Sequence, residues 1–239
     1  MTDPFRHHPG LRGKIMPAEE SFFRDMDLIQ IDAQVVAAGG EPDWRYPDDV
    51  REAKRRAVLE GHWDDDIWVF AYGSLMWDPG MIFDEVRRAH APEFSRTFAM
   101  WDEDARGSRA QPGLMLCIDQ GTGCEGLVFR IARERIDHET FVLFRRELIA
   151  PGYVPTWSTM TTDLGPVRAL AFVMDHDADN IHSGIPRAEQ ARMIAVAQGM
   201  LGTNFEYLDN MHAQLGALNV SDPYVDDLYA RVTSLRENG

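Results

Sequence analysis

The chain has 239 residues, 44% of them hydrophobic and 10% aromatic, enough for one compact domain with an appendage or for two small domains. Lys and Arg total 24 against 39 Asp and Glu, and a formal charge of −15 repels a polyanionic backbone, which argues against a nucleic-acid partner. Cys117 and Cys124 are too few for a disulfide framework and lack zinc spacing; no segment has the length of a membrane span; and Met1 to Arg12 carries no signal-peptide core, so reduced, half-buried thiols and a cytoplasmic location are expected.

In chain order, residues 17–38 read as a helix that opens on Pro17, Glu19 and Glu20 and stops at Gly39-Gly40. A charged helix follows over 48–60 and ends at Gly61, its run from Arg51 to Arg56 reading as a solvated face. After Asp64-Asp65-Asp66 the apolar run Ile67 to Tyr72 has the length of a strand. The main domain is therefore placed over 65–239, with 1–64 as a helical N-terminal extension. Further strands are predicted within 86–101 and over 113–118 and 125–131. Asp137 is the expected N-cap of a helix over 138–148, which Pro151-Gly152 ends. Two more strands follow at 153–160 and 167–174. Helices then open at Pro186, at the capping box Thr203 to Glu206, and at Asp222-Pro223. Many strands followed by helices predict an α+β fold, a small mixed or antiparallel β-barrel with helices packed outside.

Three motifs resemble functional signatures and fail on context. Gly121 to Gly126 matches GxGxxG, but a strand rather than a helix follows it, so a hairpin turn is expected. Asp175, Asp177 and Asp179 imitate a calcium loop, yet Asn180 replaces the required Gly and Pro186 the terminal Glu. Ser74 lacks the flanking glycines of a nucleophile elbow, Tyr72 and Met76 standing in their places. No metal or other cofactor is expected.

Two features carry chemistry. Phe70 to Trp77 is a buried strand running into a tight turn, where Gly73 permits unusual backbone geometry and close approach to the amides, and Ser74 adds a hydroxyl. An ordinary strand exit is the alternative reading. Glu147 lies three and four residues after Phe144 and Leu143, hence on their apolar face, where lost hydration and the helix C-terminus both disfavour its charged form. Its alternative is a structural ion pair. Arg145 and Arg146 adjoin it in sequence, which by itself places neither beside it in space.

With these residues in view, the chain from about Ile67 onward resembles the ChaC family of glutathione-directed γ-glutamylcyclotransferases. The resemblance rests on Phe70-Ala71-Tyr72-Gly73-Ser74-Leu75-Met76-Trp77, on Arg96, Phe98, Trp101 and Arg106-Gly107, on Arg146-Glu147 with Gly152-Tyr153, and on Gly202 to Leu208. Ala71 stands where the family often has Gly, and the loop from Asp175 to Pro186 lacks family pieces, which bears on substrate preference. The resemblance implies that glutathione or a related γ-glutamyl peptide is cyclised to 5-oxoproline without a cofactor. It implies Glu147 as the acid–base residue, a substrate cradle from Tyr72, Gly73, Ser74 and Leu75, and further contacts from Arg106 and Tyr207. A small-molecule substrate is then the expected partner, with no nucleic acid, membrane or obligate protein partner. The open alternatives are a cyclotransferase for other γ-glutamyl amines or amino acids, and a non-catalytic regulator related to cation transport.

Overall fold

The computed structural model describes residues 3–238. Helices α1 (Leu28–Ala37) and α2 (Asp48–Val58) precede the strands β1 (Ile67–Ala71), β2 (Glu85–Ala91), β3 (Phe94–Asp102), β4 (Gly113–Gln120) and β5 (Cys124–Ile131). Helix α3 (Ile136–Glu147) leads to β6 (Tyr153–Thr162) and β7 (Gly165–Met174), and α4 (Arg187–Val196), α5 (Asn204–Ala217) and α6 (Pro223–Glu237) complete the chain. Five strands close a barrel in the order β1, β5, β2, β6, β7. Four of its pairings are antiparallel, and β7 returns beside β1 in parallel, with Trp68 opposite Ala169 and Val69 opposite Leu170. Closure leaves no unpaired edge. Buried on both faces, β1 reads as the unbroken apolar run Ile-Trp-Val-Phe-Ala rather than an alternation. Strands β3 and β4 form a separate ribbon with an irregularity between Phe98 and Met100.

Caps fix the helical third. Thr203 and Glu206 form the predicted capping box, and Asp222 accepts from the amides of Tyr224 and Val225. Asn204, fully buried, accepts from the Leu114 amide at 2.7 Å and donates to the Leu114 carbonyl at 2.8 Å, pinning α5 to β4. The segment before the barrel wraps around it. Leu11, Ile15 and Leu59 belong to the same continuous core as the barrel strands. Main-chain bonds join Val86 to Pro4, Met16 to Trp77 and Tyr46 to Ile149.

Tertiary contacts overrule several local expectations. Residues 17–38 do not form one helix: a short 3-10 turn at Ala18–Glu20 is followed by an irregular stretch, and α1 starts only after Asp27, which accepts from the amides of Ile29 and Gln30. Asp137 does not cap α3; it lies inside the first turn and pairs with Arg55 at 2.8 Å. The basic run of α2 is not simply a solvated face, because Arg51 and Arg55 are buried. Arg55 reaches the Asp137 carbonyl and the Thr140 hydroxyl at 2.9 and 2.8 Å, so α2 docks on α3 through polar contacts. Gly121–Gly123 is a turn between strands, but β4 and β5 belong to different sheets and form no hairpin; the Gly121 and Gly123 amides bond back to Glu93 and Phe94. The thiols are free and buried rather than half-buried.

Candidate active site

Strand β1 delivers its turn to one end of the barrel. The Tyr72 phenol is buried and donates to the Phe172 carbonyl at 2.8 Å, while the Tyr72 carbonyl accepts from Arg96 Nε at 2.8 Å. Arg96, itself buried, also pairs with Asp222 at 2.8 Å and donates to the Glu125 carbonyl, so the turn is braced from the opposite side. Gly73 has φ −126°, outside the left-handed region, so the lack of a side chain there provides space rather than an unusual φ. A Cβ on Gly73 would lie 3.6 Å from both the Tyr207 hydroxyl and Leu116. Ser74–Met76 form a single 3-10 turn. Among the described residues, the amides of Gly73, Ser74 and Leu75 donate to no protein acceptor. Free amides at the start of such a turn form a concavity suited to a carboxylate.

Glu147, the last residue of α3, has a side chain only 13% exposed. Burial raises its pKa above the ordinary carboxylate range; the Arg146 charge opposes this and the Asp78 charge reinforces it. Arg146 is the hub that sequence reasoning missed. Its Nε lies 3.0 Å from Glu147 Oε1, its Nη2 donates to Ser74 Oγ at 2.7 Å, and its Nη1 donates to the Asp78 carbonyl. The Phe23 ring, from the segment before the barrel, covers this guanidinium at 4.0 Å. Sequence adjacency could not place Arg146 beside Glu147; its five donors, enclosed by acceptors on the turn and by its neighbour, do so.

Around the pair stand the buried phenols of Tyr72, Tyr153 and Tyr207, close enough to Glu147 that its charge adds to burial in raising their pKa values. They remain protonated donors at neutral pH. Tyr153, which carried only a motif match in the sequence, donates to the Leu116 carbonyl at 2.8 Å. Burial pushes the Cys117 thiol up to about 12, which removes it as a nucleophile. Leu75 is packed in the core and can offer its amide alone. Arg106 stands beside Tyr207. It lies at 5.9 Å from the Tyr207 ring centroid, bonds the Thr203 carbonyl at 3.4 Å and faces Glu206 at 3.9 Å.

A cleft of about 870 Å³ opens at the other end of β1, lined by His62, Asp65, Asp84, Arg130 and Trp157 among others. Several of its charges are paired, Asp66 with Arg130, Asp84 with Arg135 and Arg133 with Glu134, and its lining includes none of the groups just described. Among the described residues, no three His, Cys, Asp or Glu side chains come together as metal ligands. Nor is any helix among them long and apolar enough to cross a membrane.

Known proteins resemble this chain over most of its length. A glutathione-specific γ-glutamylcyclotransferase of Escherichia coli K12 is 32% identical over 87% of this chain and 91% of its own length. The rat glutathione-specific γ-glutamylcyclotransferase 1 is 28% identical over 72% of this chain and 83% of its own. The crystal structure of a γ-glutamyl cyclotransferase specific to glutathione from yeast shares the fold, with a TM-score of 0.66 at 19% identity over 74% of this chain and 99% of that one. The sequence model of ChaC-like proteins matches residues 67–235, from the first residue of β1 to near the end of α6, and the chain belongs to that family.

Proposed function

We propose that the protein is a glutathione-specific γ-glutamylcyclotransferase, converting glutathione to 5-oxoproline and cysteinylglycine. The observation that carries this reading is a carboxyl group of raised pKa, Glu147, joined through Arg146 to a turn of free amides. The substrate α-amine attacks the γ-carbonyl carbon of its own glutamyl unit. The substrate ammonium first releases one proton to become the attacking amine; a new C–N bond then closes the five-membered ring, the amide bond to the cysteinyl nitrogen breaks, and a second proton passes from the attacking nitrogen to the departing amine. Glu147 accepts that proton and returns it, a task best performed by a carboxyl group whose pKa is lifted toward the working pH. The amides of Gly73, Ser74 and Leu75 hold the substrate carboxylate and select the conformer that can cyclise, so the reaction stays intramolecular. Tyr207, whose hydroxyl lies beside Gly73, bounds the carboxylate position, and Arg106 steadies the Tyr207 edge.

In this reading residues 65–239 are the catalytic unit and residues 1–64 an extension that braces it. A substrate thiol and two free cysteines fit a reducing compartment, the cytoplasm. Incubating the purified protein with glutathione, with γ-glutamyl amino acids and with either after exhaustive chelation tests the proposal. Release of 5-oxoproline and cysteinylglycine from glutathione, undiminished by EDTA, is expected. Turnover of the amino-acid conjugates alone would reassign the leaving group, and no release from any substrate would overturn the function.

A further inference from the structure

The Arg146 guanidinium is shared between two carboxylates. Glu147 touches its Nε at 3.0 Å, and Asp78 Oδ1 lies 3.8 Å from its Nη1, beyond hydrogen-bond reach. Asp78 follows the signature turn directly, and its amide donates to the Ser74 carbonyl at 3.0 Å. Its side chain is 12% exposed, and Oδ1 is enclosed and bonded to no donor among the described residues. A fold gains no stability from an enclosed carboxylate oxygen left without a donor, and such atoms call for another explanation. Because this oxygen is enclosed, it acts on its neighbours in the protein.

We propose that Asp78 is a positioning residue for proton transfer: it draws on the charge of Arg146, leaving Glu147 only part of that charge, and so keeps Glu147 able to take a proton from the substrate. The inference rests on the cyclotransferase reading given above. An arginine paired with Glu147 alone would hold it as a settled, weakly basic carboxylate. A second negative charge across the same guanidinium leaves the trio with a net charge of −1, which makes a proton on Glu147 more favourable. The other groups facing Glu147 are the phenols of Tyr72, Tyr153 and Tyr207, from the end of β1, from β6 and from α5. They are neutral at working pH, so Asp78 supplies the like charge.

The test is the pH dependence of kcat/KM for 5-oxoproline release in wild type, Asp78→Asn, Asp78→Ser and Asp78→Glu, with thermal stability measured in parallel. Ionisation of the substrate amine is common to all four, so differences between the profiles belong to the enzyme. The neutral variants are expected to move the acidic limb to lower pH by roughly half a unit or more, with stability held or raised, while Asp78→Glu keeps the limb near its wild-type position. An unmoved limb in either folded neutral variant would overturn the proposal, whatever happens to the rate, and so would loss of the fold in both. A wild type that releases no 5-oxoproline counts instead against the proposed activity, a separable result.

Discussion

Helix α3 carries two enclosed glutamates just over two turns apart, and they are held in opposite ways. Glu139, near the N-terminal end, is 2% exposed and takes two bonds from Arg24, at 2.8 and 3.1 Å, and one from the Ile82 amide at 2.8 Å. Burial works to raise its pKa, but these donors outweigh it and the pKa is lowered. Glu147, at the C-terminal end, has one shared arginine and a second carboxylate nearby, and there burial prevails. Burial alone therefore does not decide what a glutamate does; the number of donors committed to it does. Both ends are served by consecutive residues of the segment before the barrel, Arg24 on Glu139 and Phe23 on Arg146.

The comparison breaks most sharply at Glu147. Glu147→Gln keeps shape and hydrogen bonds but carries no proton, so kcat should fall about 10²-fold or more with substrate affinity retained. A variant with near wild-type kcat in a 5-oxoproline assay would remove Glu147 from the chemistry. Arg24→Ala leaves Glu139 enclosed without its cation, and denaturant unfolding should show a loss of about 3 kcal/mol or more. An unfolding midpoint within error of wild type would mean that the pair is a bystander.

The pH dependence of stability has opposite signs at the two sites. The folded-state pKa of Glu139 lies below its ordinary value of 4.5, so its stabilisation is present above that pH and disappears as pH falls through the lowered pKa. Glu139→Gln should therefore be weaker than wild type at neutral pH and approach it in acid. The folded-state pKa of Glu147 lies above 4.5, so the cost of ionising it grows as pH rises from there and levels off past the raised pKa. Glu147→Gln should match wild type in acid and exceed it near neutrality. Parallel thermal melts from acid to neutral pH check both, and curves with the same sign would end the contrast.

Smaller effects sharpen it. A Cβ on Gly73 meets only ordinary contacts at 3.6 Å, so Gly73→Ala should fold normally and raise KM about tenfold by occupying the approach to the amides. Unchanged affinity by calorimetry would move the carboxylate site elsewhere. Phe23→Ala uncovers Arg146 and should lower kcat a few-fold, in line with a contact of about 1 kcal/mol, and Phe23→Trp should restore it. Failure of the aromatic replacement to rescue would leave Phe23 as packing alone.

Local signals made much of this legible. The apolar run of β1, the capping box at Thr203 and the Asp222 cap each specify their element within a few residues, and the structure follows them. The spacing of Leu143, Phe144 and Glu147 was enough to anticipate a carboxylate short of water. Non-local partners were not legible. Arg24 meets Glu139 across 115 residues, and Arg146 meets Ser74 across 72, and no periodicity encodes such meetings. The same blindness made 17–38 look like one helix, because Ser21 to Arg24 leave helical geometry to reach Gly80, Glu139 and Arg146. Arg106 matched a motif, but its partners, the Thr203 carbonyl, Glu206 and the Tyr207 ring, were not legible from that match.

The parallel pairing of β1 with β7 also sets a timetable. Trp68 finds Ala169 only after about a hundred further residues exist, so during vectorial synthesis, at roughly 5–20 residues per second, β1 waits several seconds for its last neighbour. Until then an apolar strand stands with one side open, and the turn that follows it is unfixed. Closure at such a sequence distance is slow in entropic terms, and it places the aggregation hazard of this chain in the nascent state rather than in the finished barrel.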